Sequence, residues 1–357
     1  MSIRFTEIPA ALRVPGSYHE ISNRLAGNST AMKVVLIVAA VTAAKEASVA
    51  LYHPLRILSA KDAETNLGDG EGKKIIADFL SVNDTPEVYA LPVPQNYSGV
   101  NFDTAVWPNL QDFDFNWLLY PGSVAAQITA IETELESRYT ATRQLGARCF
   151  YAKADTAANL LSYAASHNSP HMVLLPLDDG LSSKGSEQLK WLSRWTGVIT
   201  KQLAIDPSSS LNQIKVPGIS SSTQFPFTSR NQFLFGGLST WTAGRDGSVY
   251  VERAVTNYTA TPAGTPDSSY LDVQIPETLD AIRRVQNAEI RKRFAGSKLG
   301  PDTLSVQPGQ NVLTPAILQG FLLGLYRSVF VGENLLNART QEVKVAGPRT
   351  TRQGSMR

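Results

Sequence analysis

Short, unbroken apolar runs recur along this chain, separated by amphipathic segments, and they limit what it can fold into. The first, residues 34–41, reads VVLIVAAV between Lys33 and Lys45. A membrane-spanning helix needs about 20 apolar residues. The run also starts too late, and has the wrong flanks, for a secretory signal. A continuous β-branched stretch of this length suits a strand covered on both faces. Residues 55–59, 87–93, 117–120, 148–152 and 172–177 read as further strands. Between them lie segments of helical spacing. Ile75, Ile76, Phe79 and Leu80 mark one over 72–80. Ser123, Asp155 and Ser186 are placed to cap three more, which carry Ile128, Ile131 and Leu135, then Leu160, Leu161 and Ala164, then Leu189, Leu192, Val198 and Leu203. Strand–helix–strand alternation predicts an α/β fold: a mostly parallel sheet flanked by helices, with right-handed crossovers.

The pattern then changes. Residues 205–232 are rich in Ser, Pro and Asn and read as loop. Two alternating β-rich runs, 238–243 and 248–256, flank Gly244-Arg245-Asp246-Gly247, a hairpin signal. Pro276 and Thr314-Pro315 begin two further helices. Both ends hold little core material. Residues 1–30 are punctuated by Pro9, Pro15, Gly16 and Gly27, and 335–357 are polar, with Val343 and Val345 alternating with Glu342 and Lys344. The expected layout is an N-terminal arm (1–30), an α/β core (31–232), a hairpin-and-helix part completing it (233–334) and a C-terminal arm (335–357).

Composition removes several function classes. Lys plus Arg number 33 and Asp plus Glu 31, a net charge of +2, which gives no broad field for nucleic acid or an anionic membrane. One cysteine, Cys149, excludes an internal disulfide framework and a Cys-based zinc cluster. Folding in a cytoplasm is expected. The charged fraction is 18%, against about 25% in an ordinary soluble chain, which hints at a surface covered by partners.

The usual marks of chemistry are weak. His167 and His171 are four apart, but Pro170 between them keeps them from sharing a helical face as metal ligands, and they read as surface histidines at a strand entrance. Gly68-Asp69-Gly70-Glu71-Gly72-Lys73-Lys74 imitates a phosphate loop, yet its spacing is one residue short and Lys74 stands where Ser or Thr is needed, so it reads as a turn into a helix. Asp112 and Asp114 alternate with Phe113 and Phe115, which reads as a solvated strand edge. Asp178-Asp179 follows a strand end, where α/β sites often sit, with no nucleophile or histidine paired to it in sequence. Cys149 reads as a small buried hydrophobe. No cofactor and no metal site is expected. Arg283, Arg284, Arg291, Lys292 and Arg293 give the helix after Pro276 a basic side, a solvated face or a docking face for an acidic partner.

One block is specific. Residues 247–258, GSVYVERAVTNY, followed by 264–273, GTPDSSYLDV, closely resemble the hallmark of the contractile tail sheath proteins of Mu-like phages. Residues 13–20, RVPGSYHE, resemble that family's N-terminal arm. Phe294 to Leu299, Pro308-Gly309-Gln310 and Leu313-Thr314-Pro315 resemble the segment joining its last two helices, and Val331-Gly332-Glu333-Asn334 the run before its C-terminal arm. Family members commonly carry an inserted β-rich domain. Here the chain passes from Pro94 to Trp117 with no room for one, so it resembles a trimmed sheath.

The resemblance implies a subtilisin-like core, no active site, and stacked hexameric rings around a tail tube that contract to drive the tube through a host envelope. Strand exchange would run through arm residues Arg13, Val14, Pro15, Tyr18, Ile21, Val343 and Val345. Such arms need extended segments with little core of their own. The implied partners are further copies of the chain, a tube protein, and baseplate and terminator proteins, with no direct nucleic acid and no membrane. The implied place is a virion tail, assembled in the host cytoplasm. The basic run is the expected contact with tube or ring neighbour. The rivals are the sheath of a bacterial contractile injection device, which shares this mechanism, and an α/β hydrolase-like enzyme using Asp178 or Asp179.

Overall fold

A computed structural model describes residues 33–181, 184–302 and 310–327. In chain order, the first part of the fold comprises β1 (Val34–Ala40), α1 (Ala43–Glu46), β2 (Leu55–Ile57), α2 (Ala60–Leu67), α3 (Glu71–Leu80), β3 (Glu87–Val93), β4 (Trp117–Tyr120), α4 (Ala125–Tyr139), β5 (Arg148–Ala154), α5 (Ala157–Ala164), β6 (Met172–Leu177) and α6 (Gly185–Ile205). These strands form one sheet in the order β2-β3-β1-β4-β5-β6. All pairings are parallel except the short antiparallel edge β2–β3. The mostly parallel α/β sheet expected from the alternation of elements is therefore present. Its central strands are apolar because both faces are covered: Val35–Ala39 and all of β4 are fully buried. Helices α3 and α6 pack together, α3 lying on β1 and α6 on β5. Gly72 on α3 sits so close to the Ala40 carbonyl that a Cβ there would meet it at 2.3 Å.

The remaining elements are β7 (Ile214–Ser220), α7 (Phe227–Phe235), β8 (Thr240–Ala243), β9 (Ser248–Arg253), α8 (Gln274–Phe294), β10 (Lys298–Leu299), β11 (Val312–Leu313) and α9 (Pro315–Leu325). The predicted hairpin is β8–β9, turned at Asp246-Gly247 with Gly247 at φ 77°. Asp246 accepts from the backbone and hydroxyl of Ser248 and fixes the turn. The stretch read as loop over 205–232 is corrected. It contains β7, which pairs antiparallel with β9 to complete a three-stranded sheet, and the start of α7. Helix caps also differ from expectation. Thr156, next to Asp155, caps α5 with its side chain, while α4 and α6 start without a side-chain cap.

Candidate functional site

Helix α8, the basic helix singled out in the sequence, crosses the amino ends of the main sheet. Lys33 precedes β1, Trp117 opens β4, Arg148 opens β5 and His171 precedes β6. The first half of α8 meets the first three with acidic side chains. Trp117 Nε1 donates to Glu277 Oε1 at 3.0 Å, and Lys33 Nζ lies 4.0 Å from Glu277 Oε2. Arg148, completely buried, pairs with Asp280 at 2.6 Å and reaches His171 Nδ1 at 3.2 Å. Gly146 makes room for that pair, since a Cβ there would lie 2.2 Å from the Asp280 carboxylate.

The electrostatics follow from burial. Burial works against the Arg148 charge, but Asp280 and Glu277 outweigh it and hold the guanidinium above its usual range. Burial lowers the Lys33 pKa, and Glu277 opposes the shift in part. Burial first, then the Arg148 charge, pushes His171 down to about 3. The expectation of surface histidines is therefore corrected. His171 and His167 are both buried, and His167 Nδ1 lies 3.0 Å from Glu132.

The basic run divides in two. Arg283 donates to the Tyr139 carbonyl at 2.9 Å with its guanidinium 4.1 Å from the Tyr139 ring centre. Arg284 grips Asp114 with two hydrogen bonds of 2.6 and 2.8 Å. Asp114 is thus not part of a solvated strand edge, since residues 112–115 are irregular and Phe115 is fully buried. Both arginines are engaged inside the subunit. Arg291, Lys292 and Arg293 are exposed near the helix end, and only Lys292 has an acidic neighbour among the described residues, Glu289 at 3.8 Å. Beyond them β10 and β11 form a two-residue parallel pair, and α9 packs on α8 through Leu325, Phe321, Ile282 and Val285. Arm residues Arg13, Val14, Pro15, Tyr18, Ile21, Val343 and Val345 lie outside the described residues.

Places where an α/β fold does chemistry are otherwise occupied. The switch point lies between β1 and β4, and ligands of open α/β sheets sit outside the carboxyl ends there. Here Tyr120, the last residue of β4, bonds Gln127, whose amide donates to the carbonyls of Tyr97 at 2.7 Å and Val100 at 2.9 Å. Phe102 packs edge-on against Tyr120, its ring centre 5.7 Å away. These side chains pack over the carboxyl end of β4. Asp178 accepts from the Gly180 N–H at the exposed end of β6. Cys149 is buried, which pushes its thiol pKa up. Lys73 of the glycine-rich turn is held by Glu64 at 3.1 Å and Asp69 at 2.9 Å, away from the role of a phosphate lysine. Among the described residues no group of three or more His, Cys, Asp or Glu could hold a metal ion, and no helix is long and apolar enough to cross a membrane.

Comparison with known proteins agrees with the resemblance read from residues 247–273. No protein-family profile matches the chain. In sequence it is similar to a Mu-like prophage tail sheath protein of Haemophilus influenzae, 28% identical over 214 residues, which cover 59% of this chain and 43% of that protein. The match thus spans less than half of the relative's length. In structure it is similar to a sheath tail protein of Desulfitobacterium hafniense, with a TM-score of 0.55 at 9% identity over 91% of each chain. It is also similar to a chain of the contracted baseplate of the anti-feeding prophage, with a TM-score of 0.56 at 12% identity over 93% of this chain and 87% of that one. A chain of that particle's contracted helical sheath superposes with a TM-score of 0.51 at 13% identity over 89% and 85%. The chain is a sequence homologue of a Mu-like tail sheath protein and has the fold of sheath tail proteins.

Proposed function

We propose that this chain is the sheath subunit of a contractile tail: a structural protein that polymerises as stacked hexameric rings around a tube and contracts without nucleotide. The observation that carries the reading is the agreement of two independent likenesses. The sequence homologue is a tail sheath protein, and the fold match to a sheath tail protein runs over nine-tenths of both chains. The side chains packed over the carboxyl end of β4 and the engaged Lys73 support a structural role over a hydrolase-like one. A bacterial injection device remains the second reading, favoured by the anti-feeding prophage likeness, and it uses the same mechanism.

Assembly runs through the two ends of the chain, which add strands to neighbouring copies. The pair β10–β11 supports this: two residues per strand are too few to stand alone, and the pair gains by accepting more strands. Lys33, the first described residue after the N-terminal arm, is tied to α8 through Glu277. Pull on that arm would therefore reach the helix that leads to β10. Arg291, Lys292 and Arg293, exposed and with a single acidic neighbour among the described residues, are the tube or neighbour contact, and baseplate and terminator proteins are further partners.

The test is deletion of residues 1–22. The shortened chain is expected to stay folded and soluble, with the full-length thermal transition, and to form no tubes under conditions where the full chain does. Normal tubes in electron micrographs of the shortened chain would refute the arm assignment.

A further inference from the structure

We propose that α8, with β10, β11 and α9 beyond it, is a lever latched to the sheet by charge, and that the latch opens while the sheet stays folded. What α8 buries carries the inference. Apart from Pro276 in its first turn, its buried residues are Glu277, Thr278 and Asp280. Val273, just before the helix, is fully buried in the main apolar cluster. Among the described residues, no Ala, Val, Ile, Leu, Phe or Tyr side chain after it belongs to that cluster. Ile282 and Val285 pack with Phe321 and Leu325 of α9 instead. Phe294 meets Phe321 edge-on, with ring centres 5.1 Å apart. The lever thus has a small apolar contact of its own, and its ties to the sheet are polar.

Those ties include Arg148–Asp280, Trp117–Glu277 and Arg284–Asp114, and the Thr278 hydroxyl donates to the Pro207 carbonyl at 3.0 Å. Parting two apolar faces costs free energy in proportion to the area exposed. Parting ion pairs and hydrogen bonds returns each group to water, which solvates it and offsets much of the loss. Directional ties of this kind set one register for the closed state and give little resistance to opening. A segment held by them opens at the low end of the fold's range of local stabilities.

The hinge is Val273, where the chain leaves the main apolar cluster. The consequence is mechanical. Helix α8 leads into β10, so opening moves the β10–β11 pair against the sheet without unfolding it. The inference stands on these contacts and not on the sheath reading, and its test needs no assembly.

The experiment compares two buried thiols in the full-length chain. Cys149, fully buried in β5, reports unfolding of the sheet. Thr278→Cys places a second thiol at a fully buried position of α8. The chain is treated with N-ethylmaleimide under native conditions and both sites are followed by peptide mass spectrometry. Each rate is divided by that site's rate in the urea-unfolded chain. The site at position 278 is expected to react roughly tenfold faster than Cys149, or more. Equal rates would overturn the proposal, because α8 would then part only when the sheet unfolds. Two variants in the same background separate latch from core. Asp280→Asn should speed the site at 278 by roughly tenfold or more, and an unchanged rate would overturn the latch. Ile37→Val, in the fully buried middle of β1, should speed Cys149 about fivefold and leave the site at 278 unchanged. A parallel rise at both sites would also overturn the proposal. Ser193→Cys, equally buried on α6, should follow Cys149, and reaction there as fast as at 278 would show that opening is not confined to the lever. Circular dichroism melts check that each variant is folded.

Discussion

Arg148 and Asp280 stand 132 positions apart in the chain and meet at 2.6 Å with both side chains buried. Removing one partner from such a pair strands the other charge, which costs about 3–5 kcal/mol. Asp280→Ala is therefore expected to lower urea-unfolding stability by that amount, and a loss under about 1 kcal/mol would contradict the clamp. His171 gives a pH signature. Its folded pKa of about 3 lies below the ordinary 6.5, so between those values the unfolded chain binds the proton and the folded one does not. Stability from this residue is present above pH 6.5 and falls with pH through that window, by about 2 kcal/mol at pH 5. His171→Asn should flatten the stability profile between pH 7 and 5 by that amount. An unchanged slope would mean that the imidazole is not held neutral. Neither role was legible in the sequence. Arg148 and His171 flank apolar strand runs, which conceal that they are buried, and nothing local couples them to Asp280. Cys149 was legible, because a thiol among apolar neighbours in a strand has few roles besides packing.

The elements that could be read were those whose burial is written into consecutive residues. Strands β3, β4 and β6 fall on their expected bounds because every residue, or nearly every one, is apolar. Strand β7 was hidden by Pro217-Gly218, which looks like a turn. In the structure its register with β9 shifts between Val216 and Ser220. Gly218 has φ +71°, and a Cβ there would lie 1.8 Å from the Arg194 guanidinium, which itself donates to the Pro217 carbonyl at 3.0 Å. Gly218→Val should cost about 1–3 kcal/mol through backbone strain and expose the 206–226 segment to limited proteolysis, with unaltered protection as the contrary result. Helix α7 was missed because Phe233 is its only buried residue, so no apolar stripe announces it. Within α8 the two halves predict different outcomes. Arg283→Glu with Arg284→Glu should lower the melting temperature by breaking contacts to Tyr139 and Asp114. Arg291→Glu with Arg293→Glu should change stability by less than about 0.5 kcal/mol while impairing assembly. Equal effects on stability would show that the basic run acts as one unit.

At the scale of the whole molecule, the sheet positions everything else. Its amino ends carry α8, and α9 packs on α8, while Tyr97, Phe102 and Gln127 cluster on Tyr120 at the carboxyl end of β4. The hallmark block at 247–273 pointed to this architecture because it encodes the turn and strand of β9 and the loop into α8, a local pattern that needs no distant partner to be recognised. The basic run was legible as charge but not as two populations, since the division depends on Tyr139 and Asp114 coming from other elements. Assembly is the property that one polypeptide cannot display, and electron microscopy of the purified full-length chain at rising concentration addresses it directly. Hollow cylinders with six-fold end views are the predicted result; monodisperse single subunits at every concentration and salt would contradict the account.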